Sequence, residues 1–238
     1  MIDHYQDALS LPSGCDIAAV LLFALSGVLA GMRRGYDLVG VFTLALITGA
    51  GGGLIRDGLF LQEGPPALTR NWRLLPAVFA ACLVGWLVNH WVVRLQKIIA
   101  VLDAVGLSLF SMVGLLKSLD AGLSMPSAVL VGVVNAAGGG LLRDMCTGEE
   151  PLLFKPGQFY VLASLAGCLV FVGLAYQAVV SPRSAVLISA ATIFVLRILA
   201  IIFNWRTTPL TPLQPWFRPP PDPAEPGDVA PVNHGKVL

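Results

Sequence analysis

Apolar residues gather in seven long stretches along the chain, and short polar connections separate them. A membrane-spanning helix needs about 20 consecutive, mostly apolar residues, and each stretch reaches or approaches that length. We therefore predict an all-α membrane protein with seven transmembrane helices, called segments 1 to 7. The segments cover Ile17–Met32, Leu38–Leu59, Leu74–Val93, Ile98–Leu116, Ser124–Leu142, Gln158–Val180 and Ser184–Phe203.

The two ends of the chain lack this apolar pattern. Residues 1–15 contain acidic side chains but no Lys or Arg, whereas a cleaved signal peptide would begin with basic residues. We therefore predict that segment 1 is retained and that residues 1–15 form an extracytoplasmic leader. Residues 207–238 are rich in proline and lack a hydrophobic stripe, so we predict a disordered cytoplasmic tail.

Lys and Arg residues in the connections set the predicted orientation, because cytoplasmic loops carry an excess of them. With the N-terminus outside, the inner regions would hold twice as many of these residues as the outer ones. The inner ones are Arg33, Arg34, Arg94, Lys97, Lys155, Arg206, Arg218 and Lys236, and the outer ones are Arg70, Arg73, Lys117 and Arg183. We expect a multi-pass protein of the inner (plasma) membrane with its N-terminus outside and its C-terminus in the cytoplasm.

The composition agrees with a membrane protein and argues against several other classes. Hydrophobic residues make up 56% of the chain and charged residues only 12%, against about 25% charged residues in soluble domains. The net charge of +1 provides no basic face for a nucleic acid. The four cysteines follow no metal-binding spacing, and no HExxH or Ser/His/Asp arrangement falls within the segments. We expect no enzyme, no metal and no cofactor, and we expect membrane lipids as partners.

The chain also contains a repeat, which becomes visible when the sequence is shifted on itself by 87 residues without a gap. Ala50–Leu54 then match Ala137–Leu141 identically, within the longer stretches "GAGGGLIRDG" and "AAGGGLLRDM". Further identical pairs are Asp16 and Asp103, Phe23 and Phe110, Gly27 and Gly114, Gly35 and Gly122, Arg56 and Arg143, Asp57 and Asp144, and Glu63 and Glu150. A gapless register over this distance indicates an internal duplication.

Each copy of the repeat contains three segments, and this odd number determines the topology. The second copy must enter the membrane from the opposite side, so the two copies form an inverted 3+3 repeat. We assign residues 16–97 to repeat 1, residues 98–181 to repeat 2 and residues 182–206 to a seventh helix without a counterpart. Inverted repeats occur in transport proteins whose pathway lies at the repeat interface and is built by interrupted helices.

Three consecutive glycines lie in segment 2 and again in segment 5, namely Gly51, Gly52 and Gly53, and Gly138, Gly139 and Gly140. Each glycine costs about 1 kcal/mol relative to alanine inside a helix, so we predict that helices 2 and 5 are broken at these sites. A break exposes carbonyl oxygens that suit an ion that has shed part of its hydration shell. The alternative is that the glycines only let helices pack closely.

Charged residues follow each glycine triplet as Arg56-Asp57 and Arg143-Asp144. The hairpin of segments 1 and 2 places Asp16 at the depth of Arg56, and the hairpin of segments 4 and 5 places Asp103 at the depth of Arg143. Because a charge inside the membrane usually faces a partner or water, we predict the ion pairs Asp16–Arg56 and Asp103–Arg143, one at each end of a pathway. Interfacial snorkelling without a role in transport is the alternative.

Four further polar residues are weaker candidates for a functional role. Thr48 and Asn135 are equivalent and precede the glycines by one turn; they either supply oxygens to a cation or cap the broken helices. Lys117 ends segment 4 and is equivalent to Ala30, so it is a candidate gating charge, with a plain loop lysine as the simpler interpretation. Arg197 interrupts segment 7 and marks a protein-facing or interfacial surface.

Taken together, the seven segments, the 3+3+1 duplication and the intact motifs "GGGLIRD" and "GGGLLRD" resemble the prokaryotic TRIC family of trimeric intracellular cation channels. This family is also catalogued as a glycine-transporter membrane family. The resemblance covers about Asp16 to Trp205. It implies a homotrimer in which each protomer has its own pore, lined by segments 1, 2, 4 and 5 and kinked at the glycines. It also implies permeation of monovalent cations, chiefly potassium, so K⁺ or Na⁺ is the expected permeant ion.

Two functions remain open from the sequence. The leading hypothesis is a passive potassium channel at the interface of the inverted repeat. The alternative is a carrier for glycine or another small zwitterion, in which the same helices hold the carboxylate and ammonium groups. Inverted repeats suit both functions, and unitary currents in a planar bilayer would distinguish them.

Overall fold

The computed structural model of the protein describes residues 13–62, 64–88, 95–154, 159–177 and 180–205. Within these ranges the longer helices are α1 (Ser13–Arg34), α2 (Leu38–Ile55), α3 (Leu74–Val88), α4 (Leu95–Asp120), α5 (Met125–Cys146), α6 (Tyr160–Gln177) and α7 (Pro182–Ile202). A π-helix, Arg56–Leu61, continues α2, and a one-turn helix covers Ala67–Arg70. The predicted tail 207–238 and residues 1–12 of the predicted leader lie outside the described residues.

The described part of the chain is helical, as predicted for a membrane protein. Five helices are long and apolar enough to cross a membrane, namely α1, α2 together with the π-helix, α4, α5 and α7. The apolar parts of α3 and α6 are shorter and cover Leu74–Val88 and Tyr160–Ala175. The membrane character of the helices therefore agrees with the prediction, whereas the number of seven crossings stays a prediction.

Equivalent glycines end the first helix of each repeat. Gly35 follows α1 with φ = 73°, and Gly122 closely follows α4 with φ = 79°. Both angles lie in the left-handed region, where a residue with a side chain is strained. After each glycine the next N–H binds a carbonyl in the last turn of the helix, at 3.1 Å and 2.9 Å. The two hairpins α1–α2 and α4–α5 therefore turn in the same way.

These hairpins pack against each other around a buried aromatic pair. Phe23 of α1 and Phe110 of α4 are equivalent in the repeat, and their ring centroids are 5.2 Å apart. Helix α1 is in contact with α4, and α2 is in contact with α5. Like helices of the two copies thus meet each other, as expected of two copies related by a two-fold axis. The inversion of the copies across the membrane stays a prediction.

Helix α7 lies outside the repeat and packs against α6 and α4. Its N-terminus is capped by the hydroxyl of Ser181, which accepts the N–H of Ser184 at 3.3 Å, and Pro182 occupies a first-turn position where no N–H is needed. The buried residues of α7 recur three or four positions apart and are Ala185, Ser189, Ile193, Arg197 and Ala200. This spacing forms one helix face, so Arg197 faces the protein.

The predicted breaks in helices 2 and 5 are wrong, because both glycine triplets lie inside continuous α-helix. Gly51–Gly53 belong to α2, and Gly138–Gly140 belong to α5, which is helical from Met125 to Cys146. The backbone of α2 changes only after its glycines, where the π-helix begins at Arg56. Close packing between α2 and α5 offsets the low helix propensity of glycine, since tertiary contacts outweigh local propensity.

Candidate functional site

The two glycine triplets lie in the contact between α2 and α5. A Cβ atom on Gly52 would lie 2.0 Å from the carbonyl oxygen of Asn135, and a Cβ atom on Gly139 would lie 2.4 Å from the carbonyl oxygen of Thr48. Gly52 is equivalent to Gly139, and Thr48 is equivalent to Asn135, so the two contacts are reciprocal. No side chain fits at either glycine, and this geometry supports the close-packing interpretation of the triplets.

The first glycine of each triplet lies in the same contact. A Cβ atom on Gly51 would lie 2.5 Å from Cδ1 of Leu142, and one on Gly138 would lie 2.9 Å from Cδ1 of Ile55. Ile55 and Leu142 are again equivalent in the repeat. At this position a branched side chain of the other helix packs against the glycine, and an added Cβ atom would have to displace the end of that side chain.

The third glycines differ between the two copies. A Cβ atom on Gly53 would have one neighbour within 4 Å, Nη2 of Arg56 at 3.9 Å. A Cβ atom on Gly140 would lie 2.9 Å from the hydroxyl oxygen of Tyr160 and 3.3 Å from Oδ1 of Asp103. The duplicated motif is thus open at this point in repeat 1 and filled with polar groups in repeat 2.

Thr48 and Asn135 are fully buried beside the glycines. Thr48 Oγ1 donates to the carbonyl oxygen of Leu44 at 2.6 Å, and Asn135 Nδ2 donates to the carbonyl oxygen of Phe110 on α4 at 2.7 Å. Since the helices are unbroken, neither residue caps a break. Asn135 Oδ1 has no hydrogen-bond partner within the described residues, so this oxygen is able to accept a further donor or a cation.

The predicted pair between Asp103 and Arg143 forms in repeat 2. Arg143 Nη1 lies 3.0 Å from Oδ1 of Asp103 and 3.1 Å from Oγ of Ser26. Its Nε and Nη2 bind Oδ1 of Asp144 at 2.9 Å and 2.8 Å, and Oδ2 of Asp144 accepts the N–H of Leu152 at 3.1 Å. Every nitrogen of this buried guanidinium therefore has an acceptor, as a buried charge requires.

The corresponding pair in repeat 1 differs from the prediction. Arg56 binds the adjacent Asp57 through Nε and Nη2, both at 2.7 Å, and Oδ2 of Asp57 accepts the N–H of Ala67 at 2.8 Å. Asp16 does not pair with Arg56, because its carboxylate binds the ammonium group of Lys117 on α4. The position equivalent to Lys117 is Ala30 of repeat 1, which carries no charge, so Asp103 has no competing lysine there and remains paired with Arg143.

A cavity opens beside each Arg-Asp pair. Cavity 1 has a volume of about 220 Å³, and its lining includes Arg56, Asp57, Lys117 and Asp120. Cavity 2 has a volume of about 260 Å³, and its lining includes the equivalent residues Arg143, Asp144, Ala30 and Arg33. The two cavities share no lining residue and are related by the repeat. Asp16 and Asp103 lie outside both linings. The Arg56-Asp57 and Arg143-Asp144 pairs therefore face cavities 1 and 2, and the two aspartates of α1 and α4 do not.

Residues near cavity 2 form contacts that the sequence analysis missed. Arg33 and Arg34 at the end of α1 both bind the carboxylate of Glu149, with Arg34 Nη2 at 3.2 Å. The hydroxyl of Tyr36 donates to the carbonyl oxygen of Cys146 at 3.0 Å. These contacts join the α1–α2 turn to the end of α5. The ion pairs could have been predicted from the opposite charges of Arg33, Arg34 and Glu149 at predicted segment ends on the same side of the membrane.

Tyr160 and Arg197 form a second group close to the Asp103–Arg143 pair, and of these two only Arg197 was a candidate from the sequence. Tyr160, the first residue of α6, is buried with its hydroxyl beside Gly140. The guanidinium carbon of Arg197 on α7 lies 4.8 Å from the centroid of the Tyr160 ring, a cation–π distance. Arg197 also lines cavity 2. The charge of Arg197 inside an apolar segment indicated a protein-facing or interfacial position. Tyr160 gave no such indication, because it lies outside the duplicated motif and its equivalent position in repeat 1 is Arg73.

Comparison with known proteins places this geometry in a family. The family described as "Glycine transporter" matches residues 14–90 and 100–176, which are the two halves of the repeat. A UPF0126 membrane protein of Deinococcus radiodurans is 35% identical over 153 residues, covering 64% of this chain and 71% of the relative. The UPF0126 inner membrane protein YadS of Escherichia coli K12 is 31% identical over 187 residues, covering 78% of this chain and 89% of the relative.

The fold has solved counterparts as well. The crystal structure of the TRIC trimeric intracellular cation channel orthologue from Rhodobacter sphaeroides superposes with a TM-score of 0.75 at 29% identity. The match covers 80% of this chain and 96% of that chain. The chain therefore belongs to the "Glycine transporter" family of membrane proteins, and its structural neighbours are prokaryotic TRIC channels.

Proposed function

We propose that this protein is a channel for monovalent cations, chiefly potassium, with its pathway at the interface of the two repeats. The observation that carries the proposal is the pair of charged cavities that the repeat relates to each other, one beside each Arg-Asp pair. A pathway through an inverted repeat needs two such openings, one towards each side of the membrane. No enzymatic step and no cofactor form part of the proposal.

In this proposal the contact between α2 and α5 is the closed part of the pathway. The backbones of Gly52 and Gly139 touch the opposite helix there, so an ion passes only when the helices move apart. The separated helices would expose the carbonyl oxygens of Thr48 and Asn135 together with Asn135 Oδ1. Such oxygens replace part of the hydration shell of a monovalent cation.

The assembly and orientation belong to the same proposal. The R. sphaeroides orthologue is named a trimeric channel, and we propose that this protein likewise forms a homotrimer with one pore in each protomer. We further propose that the N-terminus lies outside and the C-terminus lies in the cytoplasm, on the Lys and Arg distribution of the connections. Cavity 1 then opens outwards and cavity 2 opens towards the cytoplasm.

The proposal is tested by recording from purified protein in planar bilayers with different KCl concentrations on the two sides. We expect discrete openings whose reversal potential lies towards the potassium equilibrium potential. Chemical cross-linking in detergent should give a limiting product of three chains. Folded protein that passes no unitary current, or a reversal potential at the chloride value, would contradict the channel.

A carrier for glycine or another small zwitterion is the second candidate. The description of the matched family favours it, and so does the lining of cavity 2, which combines the cations Arg143 and Arg197 with the carboxylates of Asp144 and Glu149. Such a lining suits a solute with both charges. Saturable glycine counterflow in proteoliposomes, without unitary currents, would establish the carrier in place of the channel.

A further inference from the structure

We propose that the hydroxyl group of Tyr160 is a second partner of the Asp103 carboxylate, and that Asp103 exchanges Arg143 for Tyr160 when the pathway opens beside cavity 2. The inference rests on the proposed function and adds a positioning residue for its gate. It concerns repeat 2 alone, because in repeat 1 the position equivalent to Tyr160 is Arg73 and the equivalent aspartate, Asp16, binds Lys117.

The hydroxyl of Tyr160 and the carboxylate of Asp103 both lie beside Gly140. At Gly140, Tyr160 Oη lies 2.9 Å and Asp103 Oδ1 lies 3.3 Å from the point where a Cβ atom would stand. The hydroxyl and the carboxylate thus border the same small space, which glycine leaves free.

In this conformation Asp103 and Tyr160 each have a buried oxygen without a hydrogen-bond partner among the described residues. Asp103 uses Oδ1 for Arg143, while its Oδ2 is buried and has no hydrogen-bond partner within the described residues. No hydrogen bond of good geometry joins the buried hydroxyl of Tyr160 to Asp103 or to another described residue. Buried polar groups are satisfied in the great majority of cases. A donor and an acceptor left side by side therefore point to a second arrangement that joins them.

Arg197 of α7 packs against the ring of Tyr160. Arg197 is 1% exposed, and its guanidinium lies 4.8 Å from the centroid of the Tyr160 ring. This contact places a second positive charge beside the Tyr160 ring, whose hydroxyl borders the same space as the Asp103 carboxylate. A carboxylate that binds this hydroxyl therefore remains in the neighbourhood of a cation, which limits the cost of moving a buried charge.

Repeat 1 has no tyrosine at the position equivalent to Tyr160. The residue equivalent to Tyr160 is Arg73, which is exposed and lies against Trp72 at 5.9 Å. The residue equivalent to Gly140 is Gly53, beside which no hydroxyl lies within 4 Å of the Cβ position. The exchange therefore exists at one end of the pathway, and it connects that end to α7, the helix outside the repeat.

The test compares Tyr160→Phe with a matched control, Ser189→Ala. Ser189 on α7 is also buried, and its hydroxyl also lacks a hydrogen-bond partner within the described residues. Either change removes an unsatisfied hydroxyl, so the melting temperature in detergent should stay the same or rise. Tyr160→Phe should lower the open probability by about tenfold, the effect of losing one buried hydrogen bond in the open state, with unitary conductance unchanged. Ser189→Ala should leave the open probability unchanged.

A structural role of Tyr160 predicts the reverse pattern, a lower melting temperature. An unchanged open probability in Tyr160→Phe, with normal wild-type currents, overturns the exchange and leaves the channel in place. If the wild-type protein passes no current, the channel fails and a thiol assay decides the exchange. In a background without native cysteines, reagent access to Ser26→Cys beside Arg143 should slow about tenfold with Tyr160→Phe, while access to the equivalent Val113→Cys should not. An unchanged rate at both sites overturns the exchange.

Discussion

Asp16 and Asp103 hold equivalent positions in the repeat, but their ion pairs differ in burial and therefore in their contribution to the free energy of unfolding. Asp103 is fully buried and binds Arg143 at 3.0 Å. The side chain of Asp16 is 24% exposed, and that of its partner Lys117 is 31% exposed. An ion pair that water reaches contributes about 0–1 kcal/mol, whereas removal of one partner from a buried pair leaves an uncompensated charge.

We therefore predict unequal effects of the same substitution at the two positions. Asp103→Asn should lower the free energy of unfolding by about 3–5 kcal/mol, and Asp16→Asn should lower it by less than about 1 kcal/mol. Chemical denaturation of the purified protein in detergent measures both values, and each variant serves as the control for the other. Equal losses would mean that the two carboxylates are equally buried, against the structure.

Arg70 provides a second test at the residue scale, because it is exposed and lines cavity 1, whereas Arg73 is not part of that lining. A positive charge at an opening lowers the local concentration of cations. We expect Arg70→Gln to raise the unitary potassium conductance by about twofold in dilute salt and to have no effect at 1 M, where the Debye length is about 3 Å.

Arg73→Gln is the control for this measurement and should leave the conductance unchanged. An increase of the same size in both variants would indicate a general surface effect. An increase that persists at 1 M salt would remove the electrostatic explanation and, with it, the assignment of cavity 1 to the pathway.

At the scale of the helices, α2 and α5 show how a sequence of low helix propensity forms a continuous helix. The glycines of both triplets remain α-helical because two of the three in each helix contact the backbone or branched side chains of the other helix. Backbone-to-backbone approach strengthens helix association in membranes, where apolar burial between helices gives little driving force. The close contact, rather than a break, is the reason for glycine.

Alanine substitutions in one triplet test this explanation. Gly52→Ala places a methyl group 2.0 Å from the carbonyl oxygen of Asn135 and should lower the free energy of unfolding by about 3 kcal/mol or more. Gly53→Ala has no atom closer than 3.9 Å and should be neutral or stabilise the helix by up to about 1 kcal/mol. Thermal unfolding in detergent measures the difference, and equal stability of the two variants would contradict the close contact at Gly52.

The sequence predicted those features that depend on helix length and on the repeat register. The gapless shift of 87 residues and the lengths of the hairpins were enough to pair Asp103 with Arg143. The same argument failed for Asp16, because Lys117 reaches it from the other repeat and a pairwise register holds no information on such a neighbour. It also failed for Tyr160, since the contact with Arg197 joins two helices whose relative position no duplicated motif fixes.

At the scale of the whole molecule, the repeat relates two cavities but not their contents. Cavity 2 contains Arg33 and Glu149, whose side chains form an ion pair. The equivalent positions at the other end are Asp120 of repeat 2, which lines cavity 1, and Gln62 of repeat 1. The two cavities therefore differ in the charges that line them and in the ion pairs beside them. We expect a channel with two such openings to respond differently to conditions on the two sides of the membrane.

The inverted arrangement predicts that Leu59 and Cys146, which are equivalent and both exposed, lie on opposite sides of the membrane. In single-cysteine variants, a cysteine at position 59 should react with a membrane-impermeant maleimide in intact cells. Cys146 should react only after the membrane is permeabilised. Reaction of both in intact cells would contradict the inversion, and the opposite pattern would reverse the proposed orientation.

Phe23 and Phe110 still meet as identical partners, whereas the equivalent positions 30 and 117 now hold alanine and lysine. In an assembly of two separate, identical three-helix chains, every substitution would be inherited at both faces of the bilayer. Fusing the copies into one gene product removes that constraint, because a codon change then alters a single face. In an inverted repeat, covalent linkage of the two halves therefore allows the two membrane faces to differ in charge.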